Sequence, residues 1–202
     1  MKIIPTILAY TEDEFAQQLN LVSDLSPELQ IDIVSNGFGT PTVNLNKVDL
    51  PYEKDIILHI MTKNNDEIMY YENFSHRRII LQAEVGDKLN EIIDDNKEKW
   101  GLAISPETPV ESVLPYINKV SELLILTVEP GRQGRQFQEN NLFKIDDVRR
   151  INYHITVSVD GGINEKNIAK VARAGADVVY IGSALTTSKN PRQTYDNLCK
   201  AI

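Results

Sequence analysis

The chain has few of the residues that staple small or secreted folds. One cysteine, Cys199, among 202 residues excludes an internal disulfide and suits a reducing compartment. It falls in the last helical pattern, where it reads as a partly buried spectator. No apolar run approaches about 20 residues, so no segment reads as a membrane-spanning helix. The opening Met1-Lys-Ile-Ile-Pro-Thr-Ile-Leu8 is apolar for only a few residues and is interrupted by Pro5. It reads as a first strand rather than a signal peptide, and a cytoplasmic location is expected. Basic residues are also scarce: 21 Lys and Arg against 29 Asp and Glu give a formal charge of −8. Nucleic-acid surfaces rest on clustered cations, so no nucleic-acid or membrane partner is expected, and any phosphate recognition must be local. No linker, low-complexity tract or charge block divides residues 1–202, which are expected to form one domain.

What is present is a regular alternation. Short β-branched runs at Lys2–Ile7, Gln30–Val34, Ile56–Met61, Arg78–Ala83, Gly101–Ile104, Leu123–Val128, Thr156–Val159 and Val178–Ile181 read as strands. Helical patterns fall between them at Glu12–Leu25, Asp66–Asn73, Lys88–Asn96, Val110–Asn118, Asn140–Ile151, Glu165–Ala174 and Pro191–Ile202. Thr11 with Glu14 is a capping box for the first. Eight strands in turn with helices predict an α/β fold, a compact (β/α)8 barrel, with a doubly wound open sheet as the alternative. Between positions 35 and 54, Pro41 and Pro51 predict a loop or one short turn, so the second helix should be reduced or missing.

Two C-terminal stretches carry the chemistry: Leu126-Thr-Val-Glu-Pro-Gly-Arg-Gln-Gly-Arg-Gln-Phe137, and Val159-Asp-Gly-Gly-Ile163 with Ile181-Gly-Ser-Ala184. In each, an apolar strand runs into glycine before a helical pattern, so backbone N–H groups are expected to converge near a helix N-terminus and cradle phosphate. Asp160 would lie beside that anion. Asp32, flanked by Ile31 and Ile33, faces the opposite way from them, toward the barrel interior, and His59 does the same between Leu58 and Ile60. Inward charge needs a partner, which favours a site over a spectator. His76 and His154 lie in polar connections and read as surface residues; Arg149 and Arg150 read as a solvated helix end.

Several motifs in order make the chain similar to the ribulose-phosphate 3-epimerase family, (β/α)8 enzymes of the pentose phosphate pathway. Pro5-Thr-Ile-Leu8 resembles that family's Pro-Ser-Ile-Leu, Gln30-Ile-Asp-Ile33 its His-x-Asp-x, and Leu58-His-Ile-Met61 its Val-His-Leu-Met. Gly101-Leu-Ala-Ile-Ser-Pro-Glu-Thr-Pro109 and the two glycine stretches resemble further family segments. The resemblance implies inversion at C3 of D-ribulose 5-phosphate to D-xylulose 5-phosphate through a cis-enediolate, with Asp32 and Asp160 as the two acid/base groups. It further implies that Thr6, Gly131, Gly134, Gly161, Gly162, Gly182 and Ser183 bind substrate and phosphate, that His59 contacts substrate, and that the protein is a homo-oligomer, a dimer or hexamer. A divalent metal (manganese, magnesium, iron or zinc) would be held by Asp32, His59, Asp160 and a second histidine, whose place Gln30 takes.

That replacement keeps the charge sum at zero but substitutes a harder, weaker donor for imidazole. Metal binding is therefore expected to be weaker than in a typical member, or absent. Val34 and Leu126 stand where the family carries methionines, Ser35 and Asn36 replace its Asp-Gly, Arg132 and Gln133 replace Phe-Gly, and Arg135 replaces glutamine. Two other readings share these motifs: another phosphosugar isomerase or lyase using the aspartates without metal, and a non-catalytic sugar-phosphate-binding barrel.

Overall fold

The computed structural model describes residues 1–35, 37–72 and 78–202. Eight strands, β1 (Lys2–Ile7), β2 (Glu28–Val34), β3 (Asp55–Met61), β4 (Arg78–Gln82), β5 (Trp100–Ile104), β6 (Glu122–Leu126), β7 (Thr156–Asp160) and β8 (Val178–Ile181), close in sequence order into a parallel barrel. Such strands are covered on both faces, and Ile, Val and Leu accordingly dominate them. The outward residues pack under the helices as one large core that includes Ile31, Leu58, Leu81, Trp100, Ile125 and Val157. A smaller inward cluster, with Ile4, Ile57, Ile80, Leu124 and Tyr180, fills the barrel itself. Among these apolar residues Glu122 is fully buried, accepting from Tyr180 Oη at 2.7 Å and Arg78 Nη1 at 3.3 Å.

The helical layer is uneven. α1 (Glu12–Val22) opens with the expected capping box: Thr11 Oγ1 accepts from Glu14 N at 3.1 Å, and the Glu14 carboxylate reaches back to Tyr10 N at 2.7 Å. After β2 there is one 3-10 turn, Leu45–Lys47, as the prolines predict. α2 (Asn65–Glu72) follows β3. The helices expected after β4 and β5 are largely lost. Instead of Lys88–Asn96, a 3-10 stretch over Ala83–Lys88 is broken at Gly86 and continues as the single turn α3 (Leu89–Ile92). Asp94 ends it by accepting from Asn96 N at 2.9 Å and Trp100 Nε1 at 2.8 Å, bonds that compete with helix continuation. Instead of Val110–Asn118 there is a 3-10 turn over Val110–Val113, because Pro115 removes a donor and crowds the preceding turn. α4 (Phe143–Ile151), α5 (Ile168–Arg173), the one-turn α6 (Ser183–Thr186) and α7 (Pro191–Lys200) complete the ring. Neither α6 nor the late start of α5 follows from periodicity.

Among the side chains read as spectators, His154 is exposed as expected, and His76 lies outside the described residues. Cys199 is exposed rather than partly buried, because α7 turns Leu198 inward and the next residue outward. Arg149 is not a solvated helix end. Its guanidinium donates to Ile155 O at 2.7 Å, Gly175 O at 3.2 Å and Asp177 Oδ2 at 2.5 Å, tying α4 to the chain on either side of α5; Arg150 does remain exposed.

Where the helix after β5 is missing, Lys144 of α4 holds the loop instead. Its buried Nζ donates to Ser105 O, Pro106 O and Thr108 O at 3.0, 2.6 and 2.9 Å. Lys144→Met leaves three carbonyls without that donor and is expected to lower stability by about 1–3 kcal/mol in urea denaturation; an unchanged midpoint would refute this clamp.

Candidate active site

Strand register assembles the site. β1 and β2 set Thr6 beside Gln30, and β2 and β3 set Asp32 beside His59. Period-2 alternation carries Gln30, Asp32, His59 and Gln82 to the same inward side, all buried. Asp160, the last residue of β7, completes the group from across the barrel. Gln30 Nε2 donates to Asp32 Oδ1 at 2.9 Å and to Asp160 Oδ2 at 3.2 Å, so one amide bridges the two carboxylates. His59 Nδ1 lies 3.1 Å from Asp32 Oδ1, and Gln82 Nε2 lies 2.9 Å from His59 Nε2. One donor atom each from Asp32, His59 and Asp160 fall within 4.8 Å of one another.

Two carboxylates this close cannot both ionise freely. Burial pushes Asp160 up to about 7, and the neighbouring Asp32 carboxylate pushes the same way; His59, the Gln30 hydrogen bond and the Gly161 N–H oppose them without prevailing. A group that exchanges protons near neutrality suits general acid or base work.

Thr6, Asp32, His59, Asp160, Gly131, Gly134, Gly161, Gly162, Gly182 and Ser183 all line one cleft of about 560 Å³, counted out to its open mouth. Gln30 sits behind this wall, fully buried, and presents nitrogen rather than oxygen to the aspartates. Thr6 Oγ1 is buried there with no partner. Glycine serves different ends around the cleft. At Gly131 a Cβ would fall 2.0 Å from Phe38 O, so this glycine lets two loops cross. At Gly162, with φ +66°, a Cβ would fall 2.8 Å from Arg135 O and Phe137 N, closing the cradle. The helix N-terminus expected behind the glycines is reduced: α6 is a single turn, and α5 starts five residues beyond Ile163.

The sequence alone does not single out Gln82 or Tyr180 as site residues, and it marks Gln133 only as a replacement in the glycine loop. A glutamine at an inward position among the isoleucines of β4 was the available signal for Gln82. Gln133 lines the cleft, and a Cβ on Gly182 would meet its Nε2 at 2.7 Å. Gln133 Nε2 and Arg135 Nε are both buried without a partner. Two donors left open at the glycine end of a cleft suit an anion.

A model of the family described as ribulose-phosphate 3 epimerase matches residues 2–186. The chain belongs to the ribulose-phosphate 3-epimerase family. Curated relatives bearing the name ribulose-phosphate 3-epimerase include that of Schizosaccharomyces pombe, 35% identical over 122 residues, or 59% of this chain and about half (54%) of the relative. That of Escherichia coli K12 is 32% identical over 71% of this chain and 67% of the relative, and that of Mycobacterium bovis 29% identical over 94% and 87%. Among solved structures, 3-hexulose-6-phosphate synthase from Salmonella typhimurium superposes with a TM-score of 0.68 at 15% identity, covering 100% of this chain and 98% of that one. A KGPDC from Streptococcus mutans in complex with D-R5P gives 0.69 at 13% identity, with 98% and 95% covered. At such identities these share the barrel fold. This member of the epimerase family therefore keeps the fold with an amide in the site; two carboxylates with one imidazole are a donor set that fits a divalent cation, and the buried, unpartnered Gln30 Oε1 belongs to an amide whose nitrogen now faces the aspartates.

The raised Asp160 has a pH signature in metal-stripped protein. Its ordinary value is near 3.8, so between about pH 4 and 7 the native state holds a proton that the unfolded chain has released. Stability should then fall as pH climbs through that window and level off above it. Urea midpoints across the range should show a downward slope in the native sequence that Asp160→Asn removes; matching slopes in the two proteins would count against the shift.

Proposed function

We propose that this chain inverts C3 of a ketopentose phosphate, D-ribulose 5-phosphate to D-xylulose 5-phosphate, with Asp32 and Asp160 as acid and base. The observation carrying this reading is the pair of carboxylates held together by Gln30 in a cleft that also presents glycines and unpartnered donors. Inversion next to a carbonyl needs a base on one face of the carbon and an acid on the other, and one shared proton near neutral pH supplies both.

In this mechanism the ionised aspartate takes the C3 proton. The C–H electron pair becomes the C2=C3 bond of a cis-enediolate, and the carbonyl oxygen gains the negative charge. The protonated aspartate then delivers its proton to C3 from the other face as the carbonyl reforms. The proton has changed sides, which is the state from which the reverse reaction starts. A divalent cation held by Asp32, His59 and Asp160, with the Gln30 oxygen as a weak fourth donor, would supply positive charge beside the enediolate; the amide favours manganese or magnesium over zinc. Thr6 would hydrogen-bond the sugar, a role supported by its Oγ1 being buried and unpartnered.

The phosphate end is assigned to Gly134, Gly161, Gly162, Gly182 and Ser183, with charge supplied by this chain's own substitutions. The cleft already carries Asp32, Asp160 and Glu129, so a dianion needs a cation to offset them. Arg132 and Arg135 lie on the same wall, and among the described residues neither makes an ion pair.

Solvent deuterium incorporated at C3 of D-ribulose 5-phosphate, followed by NMR on stripped protein and after adding back manganese, magnesium or zinc, tests the reading. Exchange accompanied by xylulose 5-phosphate is expected; none under any of these conditions would sink it. Asp160→Asn should abolish exchange while phosphate-ester binding survives. Arg135→Ala should raise KM on the order of tenfold, with a weaker salt dependence, as loss of a charged hydrogen bond predicts; an unchanged KM would remove Arg135 from the phosphate site.

A further inference from the structure

Two fully buried amides face the carboxylate–imidazole cluster, and each leaves its oxygen idle. Gln30 directs Nε2 to both aspartates, Gln82 directs Nε2 to His59, and the Oε1 of each has no hydrogen-bond partner. Buried carbonyls are nearly always paired, so two idle ones around a single cluster ask for a reason.

The amide nitrogen of Gln82 can only donate. His59 Nε2, 2.9 Å away, must then accept, and the imidazole proton sits on Nδ1, where it donates to Asp32 Oδ1 at 3.1 Å. In this tautomer the nitrogen facing the aspartates has no lone pair to offer a cation. Ligation through Nδ1 requires the proton on Nε2, and that N–H requires an acceptor. Gln82 becomes one by a half-turn about Cγ–Cδ, which exchanges two ends of nearly equal size and moves nothing else. The same half-turn at Gln30 replaces a donor shared by two carboxylates with an oxygen aimed between them.

We propose that Gln82 is a positioning residue that selects the tautomer of His59, and that Gln30 and Gln82 turn over together when a divalent cation enters. The cluster thereby has two arrangements: one joined by hydrogen bonds from the two amide nitrogens, the other by the cation. The oxygens idle in the first are used in the second, that of Gln30 as a ligand and that of Gln82 as the acceptor of the His59 Nε2–H. Glutamine is suited to this at position 82. A carboxylate there would only accept and would hold His59 ready to ligate at all times, whereas leucine would specify neither tautomer. The inference rests on reading Asp32, His59 and Asp160 as a cation site.

Long-range 1H–15N correlation spectra of labelled protein distinguish Nδ1–H from Nε2–H imidazole, and three histidines in the chain leave few signals to assign. Zinc is the probe because it is diamagnetic. Stripped protein should show His59 protonated at Nδ1, and zinc-loaded protein at Nε2. Gln82→Glu should show the Nε2–H form in both states with zinc affinity, read by competition with a fluorescent chelator, at least that of the native sequence. Gln82→Leu should bind zinc about 10–100-fold more weakly, as loss of a histidine's outer partner does elsewhere. An imidazole proton that stays in place on zinc binding, or equal zinc affinity in the Leu and Glu variants, would overturn the proposal. Failure of the native sequence to bind zinc would overturn the cation site and the proposal together. Neither readout involves substrate, so absence of epimerisation leaves this inference standing.

Discussion

Everything at the mouth of this barrel answers to one constraint: a buried carboxylate, Asp32, and a half-buried one, Asp160, lie within reach of each other, and something must hold them there. In this chain it is the amide of Gln30, donating to both. Desolvation and mutual repulsion would otherwise drive the pair apart or protonate both. The bridge and the imidazole of His59 lower that cost without cancelling it, and the residue is carried by Asp160, whose proton is held up to about 7. Two inward aspartates are thus held by a single amide that donates to both.

The barrel around the pair is built to different standards on different sides. Strands β1 to β8 pair without a break, and the register that aligns Asp32 with His59 runs through all seven residues of β2 and β3. The outer layer thins after β2, β4 and β5, where 3-10 turns and single helical turns stand in for helices. Isolated helical turns are weak because nucleation is costly, so side chains tie these connections down. Lys144 spans three carbonyls of the loop after β5, and Glu84 accepts from Ser105 N and Thr108 Oγ1 in the same loop. Stability there comes from side chains reaching across the gap.

At the glycine end, side chains rather than a long helix face the cleft. The loop between β6 and α4 carries Arg132, Gln133 and Arg135, all lining the cleft, and two of their donors, Gln133 Nε2 and Arg135 Nε, are buried without a partner, while the helix behind Gly182 is a single turn. Guanidinium and amide groups give directional, charge-assisted contacts where helix dipoles contribute little.

By itself the sequence determined the barrel, because strand-length β-branched runs alternating with amphipathic segments leave few topologies open, and it determined which residues point inward, because strand alternation leaves each side chain two choices. Asp32 and His59 were legible for that reason, and Asp160 from its place where an apolar strand runs into glycines. Local periodicity could not show where helices fail: Pro115 and the Asp94 cap act through contacts that a helical pattern ignores. Nor could it reveal Gln82 as the partner of His59, Gln133 beside Gly182, or Arg149 as an internal clamp. Those pairings join residues far apart in the chain, and only the closure and register of the barrel decided which of them meet.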